Sequence, residues 1–215
     1  MKPIRRPASA PRACLASRAA GVGTATANPP WLIALAPVDV PALVQKNQLV
    51  VQRDAARVDV LEQERWASLP GDEIRRALSG DLMRQLGTID VYGTPYPGNL
   101  PVYRVSVNVA RFESWPGSHA LIDAVWSVRS LRARTSMTCR SVISEPVGAG
   151  YEALVDGHRR AVEALATAIS GGVRTLADAP PANRLTNASS SDEGMTSIAC
   201  PVAAPSAGIE GQPAG

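Results

Sequence analysis

The residues best suited to chemistry are few and far apart. The sequence has two histidines, His119 and His158, and three cysteines, Cys14, Cys139 and Cys200. No cysteine pair has CxxC spacing and no histidine lies near a cysteine, so the pattern does not predict a zinc site. An odd number of scattered cysteines is also not typical of a disulfide framework. Motifs for a serine nucleophile, a phosphate loop or a zinc hydrolase are absent. The sequence therefore predicts no catalytic, cofactor-binding or metal-binding residues.

Two carboxylates and one histidine are the remaining candidates for acid–base work. Glu62 and Glu64 share one face of a strand-like segment, but the nearby Arg57 and Arg65 favour an ion-paired surface. His158 falls on the apolar stripe of the last predicted helix, which favours a histidine packed at the edge of the core. An enzymatic or small-molecule-binding α+β domain is the alternative hypothesis. It requires Glu62, Glu64 and His158 to converge on one cavity.

The charge distribution argues against a nucleic-acid partner. The 215-residue chain has a net charge of +3, but residues 1–30 alone hold five basic residues and no acid. Residues 31–173 hold 15 basic and 15 acidic residues. Because the segment that folds is neutral, the sequence does not predict the basic face that a nucleic-acid-binding domain presents. It also has no apolar stretch near the roughly 20 residues that span a bilayer.

Composition divides the chain into three parts. Residues 1–30 are predicted to be disordered or a degenerate targeting segment: the charged start of an export signal precedes Cys14, but the apolar run of roughly 7–15 residues is missing. Residues 174–215 are rich in Pro, Ser, Ala and Gly and are predicted to be a disordered tail. All nine aromatic residues fall within 31–173, which is therefore the predicted domain.

Hydrophobic periodicity predicts strands and two helices within that domain. Ser68 is a candidate N-cap for the first helix, and Gly171-Gly172 is the predicted end of the second. The last three strands form an antiparallel meander. The predicted fold is an α+β or α/β sandwich with a mixed, mostly antiparallel sheet of about six strands and two main helices. Strands are predicted near residues 31–35, 49–51, 57–62, 102–112, 121–128 and 136–144, and helices over 70–86 and 151–170.

Several aromatic and basic residues are candidates for contact with a partner. Trp66, at a strand-to-helix junction, either fills the core or anchors an interface. Tyr96 lies in a proline-containing loop, and Trp115 lies in a hairpin turn, where it is expected to fold back on the domain unless a partner covers it. Arg132 and Arg134, with Arg129 beside them, form a small basic spot at a strand turn. Its position favours a plain solvated loop, although a lipid headgroup or a partner's carboxylates could use it.

An ordered set of segments resembles one known family. The similarity covers roughly Leu32 to Val173. Together these segments resemble the ABC-type transport auxiliary lipoproteins, the family of the Pqi-system lipoprotein of Gram-negative bacteria. The segments that carry the resemblance are Leu35–Pro41 (LAPVDVP), Gln48–Arg53 (QLVVQR), Arg57–Glu62 (RVDVLE), Glu64–Leu69 (ERWASL), Val105–Glu113 (VSVNVARFE), Ala120–Trp126 (ALIDAVW) and Leu165–Ile169 (LATAI).

The resemblance implies a non-enzymatic accessory subunit of an envelope ABC/MCE-type lipid transport system that supports outer-membrane integrity. The implied partners are a protein carrying mammalian-cell-entry (MCE) domains, inner-membrane transporter components and outer-membrane lipid, with assembly into a homo-oligomeric ring. The implied location is the periplasmic face of the outer membrane, reached through a lipidated cysteine. Cys14 is the candidate for lipidation, although the apolar signal and lipobox that family members carry do not precede it.

Overall fold

The computed structural model describes residues 12–13, 15, 30–179 and 196–201. Most of the two segments predicted to be disordered, 1–30 and 174–215, lies outside these residues, as does Cys14. The elements in chain order are β1 (Arg12–Ala13), β2 (Leu32–Leu35), a 3₁₀ turn (Ala42–Val44), β3 (Gln48–Gln52), β4 (Val58–Trp66), α1 (Pro70–Leu86), β5 (Val102–Trp115), β6 (His119–Ser130), β7 (Thr135–Pro146), α2 (Tyr151–Asp178) and β8 (Thr196–Ser197).

The strands form two sheets. The larger has the order β2-β5-β6-β7-β8, and the smaller has the order β1-β4-β3. β5, β6 and β7 are the predicted antiparallel meander, whereas β2 runs parallel to β5 and β8 runs parallel to β7. Six longer strands and two helices in the described residues confirm the predicted α+β fold with a mixed, mostly antiparallel sheet.

Alternation along β5 gives the larger sheet one covered face and one open face. Val105, Val107 and Val109 are buried, and Ser106 and Asn108 between them are exposed. Successive side chains of a strand point to opposite faces, so the valines define the inner face of the sheet. α2 packs on this inner face against β6 and β7, and α1 packs beside α2. The opposite face, here called the outer face, is partly exposed, and a small second hydrophobic cluster around Val102 covers it where β5 begins.

The first helix has the predicted limits but not the predicted cap. α1 begins with Pro70 at its first position and ends before Gly87, whose φ of 60° is the left-handed conformation that favours glycine. The N-cap position belongs to Leu69, so the prediction that Ser68 caps the helix is wrong. Ser68 lies one residue too early, and its hydroxyl instead donates to Oε1 of Glu73 at 2.5 Å.

The second helix continues through the glycine pair that was predicted to end it. α2 extends to Asp178 because Gly172 is a packing position and not a cap. A Cβ at Gly172 would lie 2.8 Å from the indole of Trp126 on β6. A Cβ at Gly157 would lie 2.3 Å from Val147. Both glycines therefore allow the helix backbone to approach the sheet more closely than a side chain would permit.

Contacts continue past both predicted ends of the domain. Leu15 is fully buried, and its N–H donates to Oε2 of Glu73 at 3.3 Å. At the other end, the N–H of Ile198 donates to the carbonyl of Ser136 at 2.9 Å. The domain boundaries at residues 31 and 173 stay a prediction. Leu15, before the first boundary, and Ile198, after the second, nevertheless pack on the same core as the residues between them.

Two neighbouring glycines of α2 provide a test of this packing. We expect Gly172→Ala to lower the free energy of unfolding by about 1–3 kcal/mol, because the methyl group must displace the Trp126 ring. Gly171→Ala is the matched control, since only Pro201 lies near its Cβ, at an ordinary 3.7 Å. That change should raise the stability by up to about 1 kcal/mol through helix propensity. Urea unfolding measures both, and equal effects at the two positions would contradict the close approach.

Candidate functional site

The described residues best arranged for proton transfer form a serine–histidine pair inside the core. The Oγ of Ser114 on β5 lies 2.8 Å from Nε2 of His158 on α2. The imidazole stacks on Phe112 with ring centroids 4.0 Å apart, and Trp66 approaches it edge-on. In a catalytic triad an acid would hold the second ring nitrogen. Here Nδ1 of His158 makes no hydrogen bond to any described residue.

Burial decides what this pair can do. His158 has no exposed surface and Ser114 is 1% exposed. Burial lowers the pKa of His158 from 6.5 to about 3, because the charged imidazolium would lose its hydration. The ring is therefore neutral at physiological pH and acts as a core side chain. The structure thus agrees with the interpretation favoured by the position of His158 on the apolar stripe, that of a histidine packed in the core.

The structure does not assemble the three groups that the alternative hypothesis requires. Glu62 is exposed on β4, with Arg65 at 3.7 Å, and Glu64 is half-buried on the same strand. Because His158 is completely enclosed, the three side chains cannot line one open cavity. Within the described part of the chain, no group of three His, Cys, Asp or Glu side chains could hold a metal ion.

Trp66 and Trp115 lie in different environments. Trp66 is 3% exposed and packs on Phe112, so of its two suggested roles the structure supports filling the core. Trp115 folds back on its own hairpin. Its Nε1 donates to Glu113 at 3.0 Å, and its ring stacks on His119 with centroids 5.6 Å apart. Trp115 keeps a partly exposed ring, and its contact with a partner stays a prediction.

The other three candidates for partner contact are Tyr96, Arg132 and Arg134, and all three are exposed on the surface. Tyr96 is 41% exposed in the loop before β5. Arg132 and Arg134 are exposed in the turn between β6 and β7, and Arg132 donates to the carbonyl of Asn99 at 3.1 Å. This hydrogen bond joins the basic turn to the end of the loop that holds Tyr96. Cys14 lies outside the described residues.

A shallow depression of about 450 Å³ lies on the outer face of the larger sheet. It runs along β5 and β6 beside the segment that follows β2, and most of its polar lining is hydroxyl and amide. Asp39 is the one titratable side chain among its lining residues. These are Ala36, Pro37, Asp39, Ser106, Val107, Asn108, Val125, Trp126, Ser127 and Thr138. The arrangement suits binding better than acid–base catalysis.

One disulfide corrects the expectation from the cysteine count. Cys139 and Cys200 form a disulfide with a Cα–Cα distance of 5.8 Å. The two cysteines are 61 residues apart in sequence, and they meet because β8 pairs in parallel with the start of β7. Spacing along the chain carries no signal of this pairing. A disulfide is typical of proteins that fold in an oxidising compartment.

Among the described residues, no helix is both long and apolar enough to cross a bilayer. The residues beside Cys14 do contact the domain. Arg12–Ala13 pairs in parallel with Arg65 and Trp66 at the end of β4, and Leu15 is buried. The candidate lipidation residue is therefore flanked by residues held against the domain.

Comparison with family models assigns most of the chain to one family, and similar solved structures share its fold. Residues 14–170 match the model of a family described as the ABC-type transport auxiliary lipoprotein component. One similar crystal structure, of an uncharacterized protein, has a TM-score of 0.58 and 18% identity, and the alignment covers 68% of this chain and 94% of that one. A Xanthomonas campestris protein described as DUF330 has a TM-score of 0.51 and 16% identity, with 68% and 86% covered. No curated protein matches significantly.

The enclosed histidine predicts a specific pH dependence of stability. Its folded pKa is lower than its unfolded value, so the unfolded state binds more protons below pH 6.5. Stability from the neutral ring is complete above that pH and is lost as the pH falls toward about 3. Between pH 7 and pH 5 the wild-type protein should lose about 2 kcal/mol more than His158→Gln. Urea unfolding at both pH values checks this, and equal losses in the two proteins would contradict it.

The disulfide predicts a reductant-sensitive fold. Reduction should lower the free energy of unfolding by about 2–4 kcal/mol, because it releases a long closed loop. Cys200→Ser should show the same loss without reductant and no further response to it. Cys14→Ser is the control and should keep the response. Thermal unfolding with and without a phosphine reductant distinguishes these cases, and an insensitive wild-type protein would show that the pair is not bonded.

Proposed function

Because the chain belongs to the family of ABC-type transport auxiliary lipoprotein components, we propose that it is a non-enzymatic subunit of an envelope ABC/MCE-type lipid transport system. In this role it binds and holds other components and supports outer-membrane integrity. The observation that carries the proposal is the family match over residues 14–170, which spans nearly the whole described fold. The partners are a protein carrying MCE domains and the inner-membrane part of the transporter.

The enclosed serine–histidine pair supports a role without chemistry. His158 and Ser114 hydrogen-bond to each other inside the core, where the ring is neutral and out of contact with solvent. A hydrolytic enzyme needs its base within reach of a bound substrate. The polar groups of the depression on the outer face do reach solvent, and that depression is open and shallow, as suits a surface that binds another molecule.

The proposed location is the periplasmic face of the outer membrane, with Cys14 as the lipidated residue. Two observations support it. The Cys139–Cys200 disulfide fits an oxidising compartment. Leu15, which follows Cys14, is buried, and its N–H is held by Glu73 at the start of α1. An acyl chain at Cys14 would thus keep the β4 edge and the start of α1 close to the membrane.

Labelling in cells tests this proposal. When cells are fed radiolabelled palmitate, the wild-type chain should carry label, fractionate with the outer membrane and cross-link to the MCE-domain partner. Cys14→Ser should lose the label and move to the soluble periplasmic fraction, because its acyl attachment point is gone. Cys200→Ser is the matched control and should keep the label, since its thiol belongs to the disulfide.

The two parts of the proposal can fail separately. An unlabelled, cytosolic wild-type protein would contradict the proposed location. A labelled outer-membrane protein that cross-links to no MCE-domain or inner-membrane component would contradict the transport role and leave the location standing.

A further inference from the structure

The outer face of the larger sheet carries an arginine pair that forms no ion pair with an acid of the described residues. Arg104 on β5 and Arg129 on β6 are direct cross-strand partners, and both are exposed. Neither forms an ion pair with any described residue. Like charges directly opposite each other destabilise a sheet, so this pair does nothing for the fold itself. Arg132 and Arg134 are exposed in the turn after β6 and add positive charge at the same end.

The other arginines on this face are paired. Arg140 contacts Asp123 at 2.7 Å and keeps the pKa of that carboxyl below its ordinary value, chiefly through the hydrogen bonds it donates. Arg111 contacts Glu113 at 2.7 Å. Unpaired positive charge is thus confined to the end of the face where β5 begins and β6 ends.

A row of hydroxyl groups lies next to the arginine pair. Ser106, Ser127 and Thr138 are cross-strand neighbours in register, two residues along from the arginines and on the same face. All three line the depression described above, together with Asn108. Asp39 bridges to Asn108 at the far end, so an anion is expected at the arginine end.

We propose that this end of the outer face binds a phosphate-bearing anion. The guanidinium groups of Arg104 and Arg129 would hold its charge, and the hydroxyl groups of the adjacent cross-strand pair, Ser106 and Ser127, would donate to its remaining oxygens. Arginine matches phosphate through paired N–H donors. A phosphate monoester has three terminal oxygens and up to two negative charges, so it can accept from both guanidinium groups and a hydroxyl at once, whereas a single carboxylate has two oxygens and one charge. Binding to polyglutamate is therefore the outcome that tests an acidic peptide as the alternative ligand.

A phospholipid headgroup and a soluble phosphate ester share this chemistry. The depression is open along the sheet, so it can admit a headgroup at a membrane surface as well as a free ester. The site would exist whether or not the protein serves the transport system proposed above, because it depends only on residues of this chain.

Binding to two phosphate probes separates the sources, and binding to polyglutamate tests the acidic-peptide alternative. The full chain with Cys14→Ser is used, so that no acyl group contributes to membrane binding. One probe is phosphatidylcholine vesicles with and without phosphatidylglycerol, measured by co-sedimentation. The other is glycerol 3-phosphate, measured by calorimetry. We expect an Arg104→Gln, Arg129→Gln double variant to bind about tenfold more weakly to whichever probe binds, because the charge-assisted hydrogen bonds are lost.

The matched control is an Arg53→Gln, Arg57→Gln double variant. It removes the same charge from the exposed β3–β4 hairpin and should leave binding within about twofold of the wild type. Arg104→Lys, Arg129→Lys keeps the charge without the paired donors and should bind at an intermediate level. Loss of like-charge repulsion should leave the thermal midpoint of the glutamine variant unchanged or higher, which separates loss of binding from misfolding.

Each result either supports or overturns the site. Arginine-dependent binding to vesicles alone identifies a lipid headgroup, and arginine-dependent binding to glycerol 3-phosphate identifies a phosphate that needs no membrane. No binding to either probe, equal binding by the wild-type protein and the Arg104/Arg129 variant, or arginine-dependent binding to polyglutamate but not to phosphate would overturn the proposal.

Discussion

Close packing of α2 on the inner face of β6 is the contact on which the rest of the structure depends. Gly172 lets the helix backbone reach the indole of Trp126, and Gly157 lets it reach Val147. With α2 this close to β6 and β7, α1 packs beside it. Both helices leave much of the outer face exposed, including side chains of β5, β6 and β7 such as Ser106, Arg129 and Thr138.

Buried carboxylates then fix the segments that packing alone would leave loose. Glu73 accepts the N–H of Leu15 and the hydroxyl of Ser68, which holds the N-terminal segment at the start of α1. Asp90 accepts the N–H of Leu35 and pairs with Arg75, which ties β2 to the same helix. A buried charge is strongly unfavourable unless it is paired and hydrogen-bonded. Both carboxylates therefore require these partners, and the segments that supply the partners are held in place. These contacts bring residues distant in sequence to one side of the domain.

Local periodicity allowed most of the fold to be predicted. It did not predict the features that depend on how the strands are paired in register. The alternation along β5 and the apolar stripe of α2 are visible within a few residues of sequence. The disulfide between Cys139 and Cys200 depends on a parallel pairing across 61 residues, which no local pattern encodes. Gly172 illustrates the same limit, because a helix-ending glycine and a helix-packing glycine look identical until the partner Trp126 is placed.

The electrostatics show most clearly what register adds to composition. Residues 31–173 carry equal numbers of acidic and basic side chains, and that neutral total argues against a uniformly basic face. It carries no information about how the charges are distributed. β5 places Arg111 beside Glu113, but its pairing with β6 places Arg104 opposite Arg129. Coulomb interactions between exposed groups fade beyond a Debye length of about 8 Å at physiological salt. A ligand at one end of the outer face therefore responds to the local arginines and not to the balanced sum.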